Sequence, residues 1–262
     1  MEILESADLG SKIRGMSSKR VLVTGSSRGI GRAIALRLSR DGWKVAVHYS
    51  GSPEDAHETV SLLGPSASGL YQADLADPKN AAKLFNDVEA DGPLKGLVNN
   101  AGVYMPLDFV GAGDAAFWAN YHRTFAINFE SPLALTRLAC RAFAGRGGGK
   151  ILNVASRVGF KGEGGAALYA ASKAALANLT RSLSVELANK NIQVFTIAPG
   201  WVETAMAREN MDDRLPTILE GIPLGRMGTP EDCAAASAFL LSEEAAYLSG
   251  IAIDINGASY FH

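Results

Sequence analysis

The stretch Arg20-Val21-Leu22-Val23-Thr24-Gly25-Ser26-Ser27-Arg28-Gly29-Ile30-Gly31 decides the architecture. Its first part, residues 20–24, is a short β-branched apolar run and reads as a buried strand. Three glycines then mark a turn, and over residues 29–40 Ile30, Ile34 and Leu38 fall on one face of a helix. The alternation continues downstream. Strands are expected at 44–49, 69–73, 96–99, 150–155, 192–198 and 251–255. Helices are expected at 53–63, 78–90, about 113–144, 168–189 and 230–241, with 201–228 irregular or helical. Near-continuous apolar strands separated by helices require a parallel sheet covered on both faces. Right-handed crossovers make that sheet doubly wound, an α/β Rossmann architecture of seven parallel strands.

The 262 residues include 47% hydrophobic and 20% charged side chains, enough apolar content for a sizeable core and against disorder. Residues 1–18 mix charge with Gly and Ser and read as an arm, with Met16 as an alternative start, ahead of one domain over 19–262. The formal net charge of −2 gives no sign of nucleic-acid binding or attraction to an anionic membrane. No stretch has the length of a membrane span. Cys140 and Cys233 lie in no metal-like spacing, so no metal site is expected, and two unremarkable thiols fit a cytoplasmic setting.

In a doubly wound fold ligands bind at the carboxyl ends of the strands. There Gly25 permits the tight turn, Gly29 lets the backbone approach a pyrophosphate, and Gly31 permits close packing of the helix. The helix start offers free N–H groups and a positive dipole end to phosphates, so Ser27 and Ile30 join the glycines as dinucleotide-binding candidates. At the end of the second strand, His48-Tyr49-Ser50 carries no carboxylate to repel a ribose 2′-phosphate, and Arg28 offers a guanidinium fork for one. The expected cofactor is therefore NADP(H).

With these residues stand Asp74, Asn99-Asn100-Ala101-Gly102, Asn128, Ser156, Tyr169-x-x-x-Lys173 and Pro199-Gly200. In this order they resemble the short-chain dehydrogenase/reductase family, in its compact single-domain branch, over nearly everything from Lys19 onward. The resemblance implies adenine contacts from Asp74 and Leu75 and a cofactor wall of Asn100, Ala101 and Gly102. It also implies nicotinamide contacts from Pro199, Gly200, Val202 and Thr204, and a catalytic tetrad of Asn128, Ser156, Tyr169 and Lys173. Lys173 would also bind the nicotinamide ribose, and Asn128 would hold a water in a proton relay.

Carbonyl reduction needs a hydride at carbon and a proton at oxygen. A free tyrosine, with a pKa near 10, is a proton donor at neutral pH. Lys173, one helical turn beyond Tyr169, and an oxidised nicotinamide are expected to lower that value, so that the group works in both directions. Ser156 would hold the substrate oxygen. Substrate candidates beside it are Phe160, which reads equally as ordinary packing, and Trp201 and Met206, in an expected lid over 201–224 that also offers Met211, Ile218 and Leu219 beside Arg208, Asp212, Asp213 and Arg214.

The overall pattern, with the ending Asp254-x-Asn256-Gly257, is most similar to 3-oxoacyl-[acyl-carrier-protein] reductases, which implies a thioester carbonyl and an acidic carrier-protein partner. Arg137, Arg141, Arg146 and Lys150 are the candidate dock, or else a solvated basic face. Reduction of a sugar, steroid, quinone or xenobiotic carbonyl stays open, as does a non-catalytic NADP-binding redox sensor. A nucleotide-sugar epimerase is disfavoured, because only about sixty residues follow Trp201. The alanines 170, 171, 174, 175 and 177, with the resemblance, point to a homo-oligomer, a tetramer or dimer.

Overall fold

A computed structural model describes residues 19–209, 211 and 214–262, so the expected arm and Met16, and Asp212 and Asp213 of the lid, lie outside the described residues. Seven parallel strands form one sheet in the order β3-β2-β1-β4-β5-β6-β7. They are β1 Arg20–Val23, β2 Lys44–Tyr49, β3 Ala67–Gln72, β4 Gly96–Asn99, β5 Gly149–Val154, β6 Ile192–Pro199 and β7 Ala252–Ile255. The order reverses where β1 lies beside β4, with Val21 opposite Gly96 and Val23 opposite Val98. The connections after these two strands leave in opposite directions and open a crevice at their carboxyl ends.

The helices are α1 Gly29–Arg40, α2 Pro53–Leu63, α3 Pro78–Ala90, α4 Asp114–Phe125, α5 Ser131–Ala144, α6 Ala167–Leu187, α7 Ala205–Arg208, α8 Leu215–Glu220 and α9 Pro230–Leu241. Strand alternation splits the core in two. Val21 and Val23 join Ile34 and Leu38 of α1 and Ala234 and Ala238 of α9 on one face. Leu22 joins Leu84 and Phe85 of α3 and Leu135 of α5 on the other. Full burial of each large aliphatic side chain contributes about 1.5–3 kcal/mol, which is why strands covered on both faces carry no polar alternation.

All seven expected strands are present, with ends displaced by one or two residues. The expected helix over 113–144 is two helices joined by a π turn, Ala126–Glu130. Pro132 has no N–H to return to the Asn128 carbonyl four residues earlier, so the α-helical ladder is interrupted there. Among the described residues of 201–228, α7 and α8 lie with a small apolar cluster of Met211, Ile218, Ile222 and Met227, against which Trp201 and Leu219 pack.

Gly31 is the tightest point of the first turn: a methyl group there would collide with the Gly25 carbonyl and the Asn100 side chain. Gly31→Ala is expected to lower stability by about 1–3 kcal/mol in urea unfolding. An unchanged midpoint would show that the loop can yield.

Candidate active site

The glycine loop is stitched to the loop after β4. Thr24 Oγ1 accepts from the backbone N–H groups of Asn100 (2.9 Å) and Ala101 (3.0 Å). Asn100 Nδ2 returns bonds to the Thr24 and Gly25 carbonyls at 2.8 and 3.1 Å. Gly25 sits at φ 63° and Gly29 at φ 56°, left-handed positions that favour glycine. Arg28 is the N-cap of α1 and makes no side-chain cap, so the first N–H groups of the helix face the crevice. An uncapped helix start behind a glycine turn fits a pyrophosphate.

The crevice, about 550 Å³, continues from this loop toward the end of β2. Ser27, Arg28, Ile30, Tyr49 and Ser50 line that end, with Asp74 and Leu75 opposite. His48 is buried and bridges two segments: Nδ1 accepts the Gly25 N–H at 3.0 Å and Nε2 donates to the Ala73 carbonyl at 3.1 Å. Burial pulls its pKa down to about 4, against the opposing effect of the Ala73 bond. The neutral ring is thus a fastener for the glycine loop.

At the other end, β5 delivers Ser156 and α6 delivers Tyr169 and Lys173 to the same wall. The Ser156 hydroxyl meets the Pro199 carbonyl at 3.5 Å and the Val158 N–H at 3.4 Å, bonds long enough for it to turn to a ligand. Lys173 Nζ is buried and donates to the Val154 carbonyl at 2.9 Å. Burial pulls the Lys173 ammonium down to about 8. Burial also pushes the Tyr169 phenol up to about 12, the Ser156 hydroxyl opposing this in part and Tyr104 and Glu163 adding to it. The expected lowering of the tyrosine pKa is absent in the protein alone. Lys173 Nζ lies 5.8 Å from the Tyr169 ring centroid, and desolvation of the phenolate outweighs it.

Asn128 does not line the crevice. Its Oδ1 accepts from Val103 N–H (2.9 Å), and its Nδ2 donates to the Val103 carbonyl (3.0 Å) and Ser172 Oγ (3.2 Å). A Cβ at Gly102 would stand 3.2 Å from Asn128 Oδ1 and 3.3 Å from Lys173 Nζ, so the glycine keeps open the space that both atoms border.

Gly25, Gly29, Gly31, Ala101, Gly102, Pro199, Gly200, Val202 and Thr204 all border the crevice, as do Trp201 and Met206. Phe160 does not. Its ring stacks on His262 at 3.9 Å between centroids, with the Arg181 guanidinium 5.5 Å away, and the expectation that it lines a substrate pocket is corrected. The sequence reading missed Tyr104, edge-on to Tyr169 at 5.1 Å, and Arg123, and it gave no role to Arg157 and Glu163 of the segment after Ser156; all four line the crevice. Opposite charges six apart, Arg157 and Glu163, were the available signal.

The fold, glycine turn and Ser–Tyr–Lys wall define a dinucleotide-dependent oxidoreductase, and the chain belongs to the short-chain dehydrogenase/reductase family. A family model described as enoyl-(acyl carrier protein) reductase matches residues 25–257. The chain is 38% identical over 243 residues to the 3-oxoacyl-[acyl-carrier-protein] reductase FabG of Escherichia coli, covering 92% of this chain and 97% of that one. It is 35% identical over 245 residues to the acetoacetyl-CoA reductase of Allochromatium vinosum, covering 92% and 98%. Among solved structures, a blue fluorescent protein from a metagenomic library in complex with NADPH superposes with a TM-score of 0.85 at 30% identity, covering 93% and 98%. The coarse activity these relatives support is NAD(P)-dependent carbonyl reduction.

His48 carries a pH signature. Its folded pKa lies below the ordinary 6.5, so the unfolded chain takes up the proton first and stability falls as pH drops from about 6.5 to about 4. The expected loss is about 3 kcal/mol by urea unfolding at pH 7 and pH 4, and His48→Asn should remove most of that dependence. The same dependence in both proteins would contradict the role.

Proposed function

We propose that the protein reduces a carbonyl to an alcohol with NADPH, Tyr169 giving the proton. The observation that carries this reading is the convergence of Ser156, Tyr169 and Lys173 on the crevice; the phenol, which burial pushes up to about 12, is protonated throughout the neutral range. Bound dinucleotide would supply the hydride to the carbonyl carbon. Ser156 holds the carbonyl oxygen and Tyr169 passes its proton to that oxygen. The Lys173 ammonium stabilises the tyrosinate left behind and would hold the nicotinamide ribose. Reprotonation runs through the space beside Gly102, which Asn128 Oδ1 and Lys173 Nζ border and where a water would be held. The residues expected to hold the cofactor, Gly25, Ser27 to Gly31, His48 to Ser50, Asp74, Leu75, Asn100 to Gly102, Tyr169, Lys173, Pro199, Gly200, Val202 and Thr204, would supply its pyrophosphate, adenosine and nicotinamide walls. Exposed Arg28, with no carboxylate in His48-Tyr49-Ser50, supports NADPH over NADH.

A 3-oxoacyl thioester is the substrate that the named relatives suggest, with an acyl carrier protein as partner. The candidate dock is thinner than its sequence implied. Lys150 is buried with Nζ on the Ser242 carbonyl at 2.6 Å, and Arg146 pairs with Glu89 at 2.6 Å, which leaves Arg137 and Arg141. A homo-oligomer is supported by the α6 face, where Ala171 and Val185 stand exposed. No helix among the described residues is long and apolar enough to cross a membrane, and we place the protein in the cytoplasm on its relatives.

NADPH oxidation should be measured over an acetoacetyl thioester, a diketone, a quinone and a keto sugar. Tyr169→Phe is expected to lower turnover by about 10²–10⁴-fold with folding preserved, and near-normal turnover would overturn its role. Arg28→Ala should weaken NADPH far more than NADH; equal losses would contradict the cofactor choice. Raising pH discharges Lys173, so reduction should hold through neutrality and decline above about pH 8. An undiminished rate at pH 10 would contradict this.

A further inference from the structure

The residue after Ser156 is a buried arginine whose guanidinium borders the crevice. Arg157 Nη2 donates to Glu163 Oε2 at 2.7 Å. That is the one side-chain bond its five N–H donors make among the described residues. None of its nitrogens is both sealed from solvent and unpartnered. Arg157 lines the crevice together with Ser156 and Tyr169, and the donors that Glu163 does not engage remain for a ligand there. An arginine this buried with unengaged donors is costly unless something pairs with it.

Resting on the reductase reading above, we propose that Arg157 determines specificity by binding a carboxylate on the carbonyl substrate, which makes the substrate class an oxo acid in place of the thioester that the relatives suggest. The guanidinium carbon lies 5.6 Å from the Trp201 ring centroid, a cation–π contact. With Nη2 bonded to Glu163, the donors that remain match a carboxylate in two parallel bonds. Arg123, Lys173 and Arg214 also border the crevice, whose lining carries more basic side chains than acidic ones.

The arginine is also held in place. Its own carbonyl accepts from the Phe160 and Lys161 N–H groups at 3.0 and 2.9 Å. The Phe160 carbonyl accepts from Tyr260 Oη at 3.0 Å, and the Phe160 ring is covered by His262. The clamp that takes Phe160 out of the crevice thereby fixes Arg157 in it, a pre-organised fork on a rigid turn.

The test compares 4-oxopentanoate with its methyl ester in NADPH oxidation, for the wild type, Arg157→Gln and Glu163→Gln, with NADPH binding and thermal midpoint as checks on folding. The wild type is expected to favour the acid in kcat/KM by at least about tenfold, and Arg157→Gln to erase that ratio. Glu163→Gln, which leaves the guanidinium charge uncompensated, should lower KM for the acid but not for the ester. Equal use of acid and ester, or a loss in Arg157→Gln that is the same for both, would overturn the proposal and leave the pair a structural tie. If Arg157→Gln does not fold, Arg157→Lys, which keeps the charge without the fork, should lose most of the ratio. If no carbonyl in any panel is reduced, the reductase reading fails. The carboxylate site is then decided by binding to the NADP-loaded protein, followed by tryptophan fluorescence: pentanoate is expected to bind, its methyl ester not, and Arg157→Gln neither. Equal binding of both would overturn it.

Discussion

A buried ammonium organises this molecule. Lys173 is placed in a crevice wall with one backbone carbonyl, that of Val154, within hydrogen-bond reach. Burial pulls it down to about 8, still mostly charged at neutral pH. The same desolvation pushes Tyr169 up to about 12. The two shifts are one effect seen on groups of opposite charge type: each neutral form is favoured. In the protein alone the wall therefore holds Tyr169 as a neutral phenol near an ammonium that folding has already desolvated.

Holding such groups in place requires polar structure inside an apolar fold. Asn99 Nδ2 bonds Asn153 Oδ1 at 2.8 Å, Asn153 Nδ2 bonds Thr180 Oγ1 at 2.9 Å, and Thr196 Oγ1 bonds Thr180 Oγ1 at 2.7 Å. This buried chain ties β4, β5 and β6 to α6, the helix that carries the tyrosine and lysine. Asn100 and Thr24 do the same for the two loops at the crevice mouth. Asn99, Asn100 and Asn153 are thus positioning residues, their side-chain NH2 groups bonded to protein partners.

The strands and most helices were legible because their signals are local. An apolar run, a glycine turn and a 3.6-residue stripe name an element wherever they occur, as at residues 20–40. The loops after β1, β4, β5 and β6 were legible as a crevice because topology alone brings strand ends together. What local pattern could not show was set by distant partners. Phe160 leaves the crevice because His262 and Tyr260, about a hundred positions away, hold it. Lys150 is no surface charge because Ser242 supplies a carbonyl for it. The direction of the tyrosine shift depends on how much protein surrounds it, which spacing does not report. The π turn was visible in principle in Pro132, whose missing N–H falls four residues after Asn128.

The central claim is that hydride goes to a carbonyl carbon, and the most direct measurement follows a label. NADPH carrying deuterium at C4 would be supplied with α,β-unsaturated ketones, neutral and anionic, and the products read by NMR. The account predicts deuterium on the carbinol carbon with the carbon–carbon double bond intact. Deuterium on the β-carbon of a saturated ketone would make the protein a reductase of double bonds, and would contradict the roles of Ser156 and Tyr169 as partners of a carbonyl oxygen.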